Sequence, residues 1–187
     1  ESDRDSARRL LEAGTGDHLS FMTLWKSNRY FFHGDSYVAY RVSNGIALTL
    51  GAPVGLDISS EFEQFAAEQG WAVAWYSVNA QFADAHPQLK RLQVAEEAVL
   101  NCESVEFKGK KFQNVRTARN KAEKEGITTR WTTWQELDIA SIARITALSE
   151  DWVSDKALPE MGFTLGGIEE MMVDGTRLLL AESADGT

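Results

Sequence analysis

Residues 29–50, RYFFHGDSYVAYRVSNGIALTL, contain three short runs of apolar and aromatic residues separated by two turn signals. A Gly-Asp pair at 34–35 divides the first two runs, and Ser-Asn-Gly at 43–45 divides the second from the third. The Asn-Gly pair is the stronger signal, because the tightest hairpin turns need positive φ at both central positions. This stretch therefore predicts three antiparallel strands connected as a meander.

Helical and strand patterns alternate on both sides of this meander. Residues 6–14 have the apolar spacing of a helix and end at a glycine, and residues 18–25 are apolar enough for one or two helical turns. After the meander, Ser60 and Glu63 predict a capping box. The later elements are predicted, in order, as a helix over 61–69, a buried strand over 71–78, a helix over 79–92 interrupted by Pro87, a strand within 96–107, a basic helix ending at Gly126, a strand over 127–133, and a helix from a Thr133–Glu136 capping box through residue 155.

This order of elements is similar to the acyltransferase fold of the N-acetyltransferase (GNAT) superfamily. We therefore expect an α/β (α+β) fold, with a mixed and mostly antiparallel sheet flanked by helices. The last apolar run, within 176–182, is followed by an Asp-Gly turn signal and by no returning strand, which would leave an unpaired edge. These patterns predict a first GNAT-like unit over 1–133 and the truncated beginning of a second over 134–187.

Composition narrows the possible functions. A single cysteine, Cys102, rules out an internal disulfide, and three histidines at scattered positions show no metal-ligand spacing. No run of about 18 apolar residues is present, so no membrane crossing is predicted within these residues. Neither a metal nor a cofactor is predicted.

Residues 108–124, KGKKFQNVRTARNKAEK, contain seven Lys or Arg and one acid in a chain of net charge −9. This basic segment therefore carries +6, and the rest of the chain sums to −15. Cations at a helix N-terminus oppose the macrodipole, whereas the free N–H groups there favour an anion. We predict a phosphate site formed by Lys108, Lys110, Lys111, Asn114, Arg116, Arg119 and Lys121. The alternative is a solvated surface helix with an Arg119–Glu123 pair.

The second candidate is the loop GAPVG at 51–55, with Gly51, Pro53 and Gly55 as its candidate residues. It stands where GNAT proteins place a phosphate-contacting loop, but it is also a pattern typical of an ordinary turn. It lacks the Arg- or Gln-led Gly-x-Gly of acetyl-coenzyme A binders, so acetyl transfer is disfavoured. Catalytic residues are not assigned, and the surrounding charge of −15 disfavours DNA.

Five ordered stretches resemble the soluble domain of the lysylphosphatidylglycerol synthase family. They are DHLSFMTLWKSNRYFF (17–32), LTLGAPVG (48–55), VAEEAVLN (94–101), FKGKKFQNVRTARNKAEKEGI (107–127) and LPEMGFTLGG (158–167). Members attach an amino acid, carried on transfer RNA, to a membrane lipid. The resemblance implies an aminoacyltransferase domain at the cytoplasmic face of the cell membrane, with aminoacyl-tRNA and an anionic phospholipid such as phosphatidylglycerol as substrates. It also implies an upstream transmembrane region and a second GNAT-like unit.

Two departures from the family pattern leave the substrates open. Ala52 replaces the acid of Gly-Asp-Pro-Val-Gly, and Ala95 replaces the glycine of Gly-Glu-Glu-Ala. The amino acid, for example lysine or alanine, and the exact lipid are not discriminated. Two alternative functions remain. One is a peptidoglycan-bridge aminoacyl transferase, and the other is a non-catalytic half that only docks transfer RNA or lipid. Residues 1–187 alone are expected to be inactive.

Overall fold

Four strands in the first part of the chain pair in their sequence order. They are β1 (Arg29–His33), β2 (Ser36–Ser43), β3 (Ile46–Thr49) and β4 (Ala72–Ala74). β1, β2 and β3 are antiparallel neighbours, whereas β4 pairs with β3 in parallel. Asn44 and Gly45 have φ of 49° and 74° at the β2–β3 turn, so the predicted meander and its hairpin turn are confirmed.

Helices cover both faces of this sheet, which buries the central strand β2 on both sides. Tyr37 and Ala39 pack with α1 (Asp3–Leu10) and with a 3₁₀ turn, Ser20–Leu24. Val38 and Tyr40 pack on the other face with α2 (Ser59–Glu68). This alternation is the two-residue period of a strand, and it makes β2 the centre of the hydrophobic core.

The computed structural model describes residues 2–155 and 166–183, and packing divides the chain into two units. Unit 1 comprises 1–91 with 161–166, and unit 2 comprises 92–160 with 167–187. Unit 1 also contains α3 (Ala80–Ala85), which stops before Pro87, and the part of the predicted helix that follows Pro87, up to residue 92, is not helical. The predicted boundary at 133/134 divides the chain into two GNAT-like repeats, which is a different division from the two packing units. That boundary stays a prediction. The Asp-Gly turn at 185–186 lies outside the described residues.

Unit 2 is built around a two-stranded antiparallel sheet. Its elements are α4 (Gln113–Lys124), β5 (Thr128–Thr132), α5 (Ile139–Asp155), α6 (Ile168–Met171) and β6 (Leu178–Glu182). β5 pairs with β6, and a forked ion pair from Arg130 to Glu182 joins them with N···O distances of 3.0 and 3.3 Å. That hydrogen bonding raises the pKa of Arg130 and lowers the pKa of Glu182.

Three local predictions are wrong. The buried strand predicted over 71–78 is limited to β4, where Ala72 is exposed and the other two residues are only half-buried. The Ser60–Glu63 capping box does not form, because α2 begins at Ser59 and its N-terminal amide donates to the carboxylate of Asp57 at 3.1 Å. Glu63 instead accepts a hydrogen bond from the indole of Trp75. No strand forms within 96–107, where the described backbone has only a short 3₁₀ turn, Cys102–Ser104. By contrast, the Thr133–Glu136 capping box is confirmed.

None of the helices in the two described ranges is both long enough and apolar enough to cross a bilayer.

Candidate functional site

The basic segment begins with a turn that is held by backbone and aromatic contacts. Gly109, at φ 78°, precedes the 3₁₀ turn Lys110–Phe112, which leads directly into α4. The rings of Phe107 and Phe112 meet edge to face at 5.5 Å across this turn. We call residues 107–112 the basic turn. It projects Lys110 and Lys111 at the start of the helix, as the sequence predicted.

Arg116 folds back onto the basic turn. Its Nη1 donates to the carbonyl oxygens of Phe107 and Gly109, at 2.9 and 2.8 Å. The carbonyl of Gly109 also accepts from the amide of Phe112 at 3.3 Å. Arg116 is therefore positioned to fix the conformation of the turn, a role that its residue type alone did not predict.

The other predicted cations differ in whether they have a carboxylate partner. Lys108 pairs with Glu106 at 2.9 Å, and the i,i+4 pairs Arg119–Glu123 and Lys121–Glu125 lie at 3.6 and 3.7 Å. All of these side chains are exposed, and exposed pairs contribute only about 0.2–1 kcal/mol each, so a phosphate can compete for the cations. The predicted Arg119–Glu123 pair of the solvated-helix alternative is thus present.

Lys110 and Lys111 have no carboxylate partner in the described part of the chain. The ammonium of Lys111 lies 5.6 Å from the ring centre of Phe112, and Lys110 is exposed. Asn114 is also exposed, on the first turn of α4. The pair Lys110–Lys111 is consequently the part of the segment whose charge is least satisfied by the protein itself.

The loop at 51–55 in unit 1 uses part of its backbone donors within the protein. The amides of Gly51 and Val54 donate to carbonyl oxygens of Tyr76 and Tyr37, and Pro53 has no amide hydrogen. The amide of Leu56, just after the loop, donates to Ser36. Two of the four amide donors of the loop are therefore already used, and the assignment of this loop to phosphate stays a prediction.

A carboxylate already occupies the N-terminus of α2, which follows this loop. Asp57 accepts hydrogen bonds from the amide and hydroxyl of Ser59, and it lies 3.2 Å from Nε2 of the buried His86. Although burial raises the pKa of Asp57, these hydrogen bonds outweigh it and leave that pKa below the usual value. A negative group at this helix end repels a second anion.

A small pocket lies beside the loop, and the sequence did not predict it. Its lining consists of Asp17, Leu19, Ser20, Met22, Leu50, Gly51 and Ser77. Of the predicted loop residues, only Gly51 is part of it. The one local signal was the Asp-x-x-Ser pattern at 17–20, which is common in turns and carries no ligand information by itself.

Comparison with known proteins identifies relatives along nearly the whole chain. A family model described as "Phosphatidylglycerol lysyltransferase, C-terminal" matches residues 7–187. An uncharacterized protein of Corynebacterium glutamicum is 51% identical over 96% of this chain, which spans 24% of that protein. The lysylphosphatidylglycerol biosynthesis bifunctional protein LysX of Rhodococcus jostii is 25% identical over 94% of this chain, which spans 16% of that protein.

A solved structure has the same fold. The structure of L-PGS from Bacillus licheniformis superimposes with a TM-score of 0.81 at 22% identity, covering 98% of this chain and 58% of that one. This likeness supports the GNAT-like α/β architecture expected from the order of elements.

Proposed function

Because the chain belongs to the family of phosphatidylglycerol lysyltransferase C-terminal domains, we propose that it forms part of an enzyme that transfers an amino acid from its transfer RNA to a membrane lipid. The chain spans 24% and 16% of the two relatives compared. The names of the family and of the Rhodococcus protein support phosphatidylglycerol as acceptor and lysine as the amino acid. We place the enzyme at the cytoplasmic face of the cell membrane.

The proposed reaction exchanges one ester for another. A hydroxyl oxygen of the lipid attacks the carbonyl carbon of the aminoacyl ester, and the bond from that carbon to the terminal ribose oxygen of the transfer RNA breaks. The proton of the lipid hydroxyl is transferred to that ribose oxygen. No electrons are gained or lost, so the reaction requires positioning of the two substrates and stabilisation of the developing oxyanion.

The observation that carries this proposal is the basic turn. Both substrates carry phosphates, and Lys110 and Lys111 stand at a helix N-terminus with no carboxylate partner among the described residues. The neighbouring cations Lys108, Arg119 and Lys121 form only exposed pairs that a phosphate can displace. We propose that the basic turn holds a phosphate of the transfer RNA acceptor end or of the lipid.

A non-catalytic docking role for this part of the enzyme is the second candidate. All seven predicted phosphate-binding residues except Arg116 are exposed. Such a surface suits binding better than bond making. A docking half would bind transfer RNA or anionic lipid and would show no turnover when supplied with both.

The first experiment changes Lys110 and Lys111 together to alanine. We expect the affinity for an acceptor-stem RNA to fall about tenfold at low salt, and the slope of log K against log salt to become smaller by about 1–2, because two phosphate contacts are lost. Fluorescence anisotropy with a labelled RNA at several salt concentrations measures both quantities.

The matched control is the Lys26→Ala/Lys90→Ala pair, which removes the same charge outside the basic segment. It should leave the salt slope within about 0.5 of the parent value. Equal losses in the two double variants would mean that only net charge matters, and an unchanged affinity in the Lys110/Lys111 variant would refute the site.

The second experiment distinguishes positioning by Arg116 from direct phosphate binding. Because Arg116 holds the carbonyl groups of the basic turn, we expect Arg116→Ala to weaken RNA binding about threefold to tenfold in the parent but to add nothing once Lys110 and Lys111 are absent. Amide exchange of Phe112, whose amide donates to the Gly109 carbonyl, should also accelerate in the single variant. Additive losses in a double-mutant cycle would instead assign Arg116 a phosphate contact of its own.

A further inference from the structure

His86 is a buried titratable side chain that the proposed function does not use. It follows α3 directly, and its ring stacks on the ring of Phe82, with ring centres 4.2 Å apart and an angle of 25° between the planes. This stacking fixes the directions in which the two ring nitrogens point.

Both ring nitrogens of His86 face hydrogen-bond acceptors. Nδ1 lies 2.8 Å from the carbonyl oxygen of Phe82, one of the last four carbonyl groups of α3, which have no partner within the helix. Nε2 lies 3.2 Å from Oδ2 of Asp57, in the loop before α2. A carbonyl oxygen and an ionised carboxylate can only accept hydrogen bonds.

The two contacts are satisfied together only by the imidazolium form of His86. A neutral imidazole carries one N–H group and one nitrogen lone pair, so either tautomer would direct its lone pair at an oxygen. The imidazolium has two N–H groups and can donate to Phe82 and to Asp57 at once. In a buried position, a contact that cannot be made lowers stability.

Asp57 is suited to remain the anionic partner. Its Oδ1 accepts from the amide and hydroxyl of Ser59, which leaves Oδ2 for His86. Although burial raises it, these hydrogen bonds hold the pKa of Asp57 below its usual value. The acid on α3, Asp84, pairs with Arg91 at 2.9 Å. Among the described residues, Asp57 is the only charged side chain in contact with the His86 ring.

These contacts hold a part of unit 1 that has little other packing. Phe82 is the only buried residue of α3, and after His86 no described residue is buried until Thr132. The backbone over 86–101 forms neither helix nor strand. Segments with so few buried contacts open at low free energy, so loss of a His86 contact should release the end of α3 before it affects the sheet.

We propose that His86, as an imidazolium, forms a pH-sensitive latch between the C-terminal end of α3 and the start of α2, with Asp57 as its counter-charge. Histidine changes its charge between about pH 5 and 8, where Asp57 stays ionised. The latch is closed while His86 holds both ring protons, and it opens as rising pH removes one of them. It depends neither on the basic turn nor on the proposed reaction.

The first test is ¹⁵N NMR of the histidine side chains in the unmodified 187-residue chain. At about pH 6 we expect both ring nitrogens of His86 to have the shifts of protonated nitrogen. As the pH rises to about 9, one of them should become unprotonated, and the amides of α3 should shift with the same midpoint. An unprotonated ring nitrogen at the lower pH, or α3 amides that do not follow the titration, would overturn the proposal.

The second test compares His86→Gln with His33→Gln by urea unfolding. His33 is the matched control, because it is an exposed histidine at the end of β1 in the same unit. We expect His86→Gln to raise the unfolding equilibrium constant about tenfold at about pH 6 and less than about threefold at about pH 9, where the parent has lost the latch as well. His33→Gln should stay within about twofold of the parent at both pH values.

A double-mutant cycle assigns the effect to the contact between His86 and Asp57. Asp57→Asn keeps an oxygen that accepts from Ser59 but removes the charge. We expect the two substitutions to be coupled about fivefold in the unfolding equilibrium constant at about pH 6, and not at about pH 9. The latch is refuted if His86→Gln has the same effect at both pH values, or if the two substitutions are additive at the lower one.

Discussion

The Gly55→Ala variant is expected to lose about 3–4 kcal/mol of unfolding free energy. Gly55 has φ of 105°, where an L-residue costs about 1–2 kcal/mol. A Cβ there would also collide with the hydroxyl of Ser36 and lie 2.9 Å from the carbonyl oxygen of Asp35. Overpacking of this kind adds about 1–3 kcal/mol, because Ser36 is itself buried in the sheet.

Gly51→Ala in the same loop is the matched control. Gly51 also has positive φ, 78°, but a Cβ there would meet nothing within 4 Å. We expect a loss of only about 1–2 kcal/mol from the backbone term. Urea unfolding followed through the amide signals of β2 measures the loss of unfolding free energy in each variant. Equal losses would show that the closeness of residue 55 to Ser36 does not constrain the loop.

The Phe62→Ala variant is expected to lose about 3–5 kcal/mol, the range found for removing a large buried aromatic side chain. Phe62 is fully buried on α2, and its ring lies 5.2 Å from that of Tyr40 and 5.5 Å from that of Trp75. Its removal leaves a cavity between the helix and the sheet. The same urea titration, with tryptophan fluorescence as a second signal, measures the loss.

Leu56→Ala provides the control for Phe62→Ala, since Leu56 is a large apolar residue in the same unit with 78% of its surface exposed. Its loss should stay within about 0.5 kcal/mol. If Phe62→Ala were as mild as Leu56→Ala, the packing of α2 on the sheet would not be the main source of stability in unit 1.

The two units differ in the hydrophobic burial that the described residues show. All buried hydrophobic side chains, from Ala7 to Phe82, belong to unit 1. In unit 2 the buried side chains are polar, Thr132 and Ser141, whereas Trp131 and Trp152 are more than half exposed. We therefore expect large stability losses from substitutions in unit 1 and smaller ones at the basic turn.

The candidate site was only partly predictable from residue types. The cationic character of 108–124 follows from composition, and the Arg119–Glu123 pair follows from helical spacing. The partners of Arg116 do not, because its choice between a phosphate and the carbonyl groups of Phe107 and Gly109 depends on how the turn folds back. A side chain with five donors fits either partner.

Sequence by itself determined the elements whose signals are local. The meander follows from turn residues that must adopt positive φ, and α1, α2 and the Thr133–Glu136 cap follow from spacing within a few residues. Only the tertiary structure decided which residues meet across long separations. Asp17 and Ser77 share a pocket although sixty positions separate them, and 96–107 remains without a strand because strand formation requires a partner from elsewhere in the chain. Local patterns specify backbone conformation, whereas the packing of distant segments specifies which polar groups meet a partner.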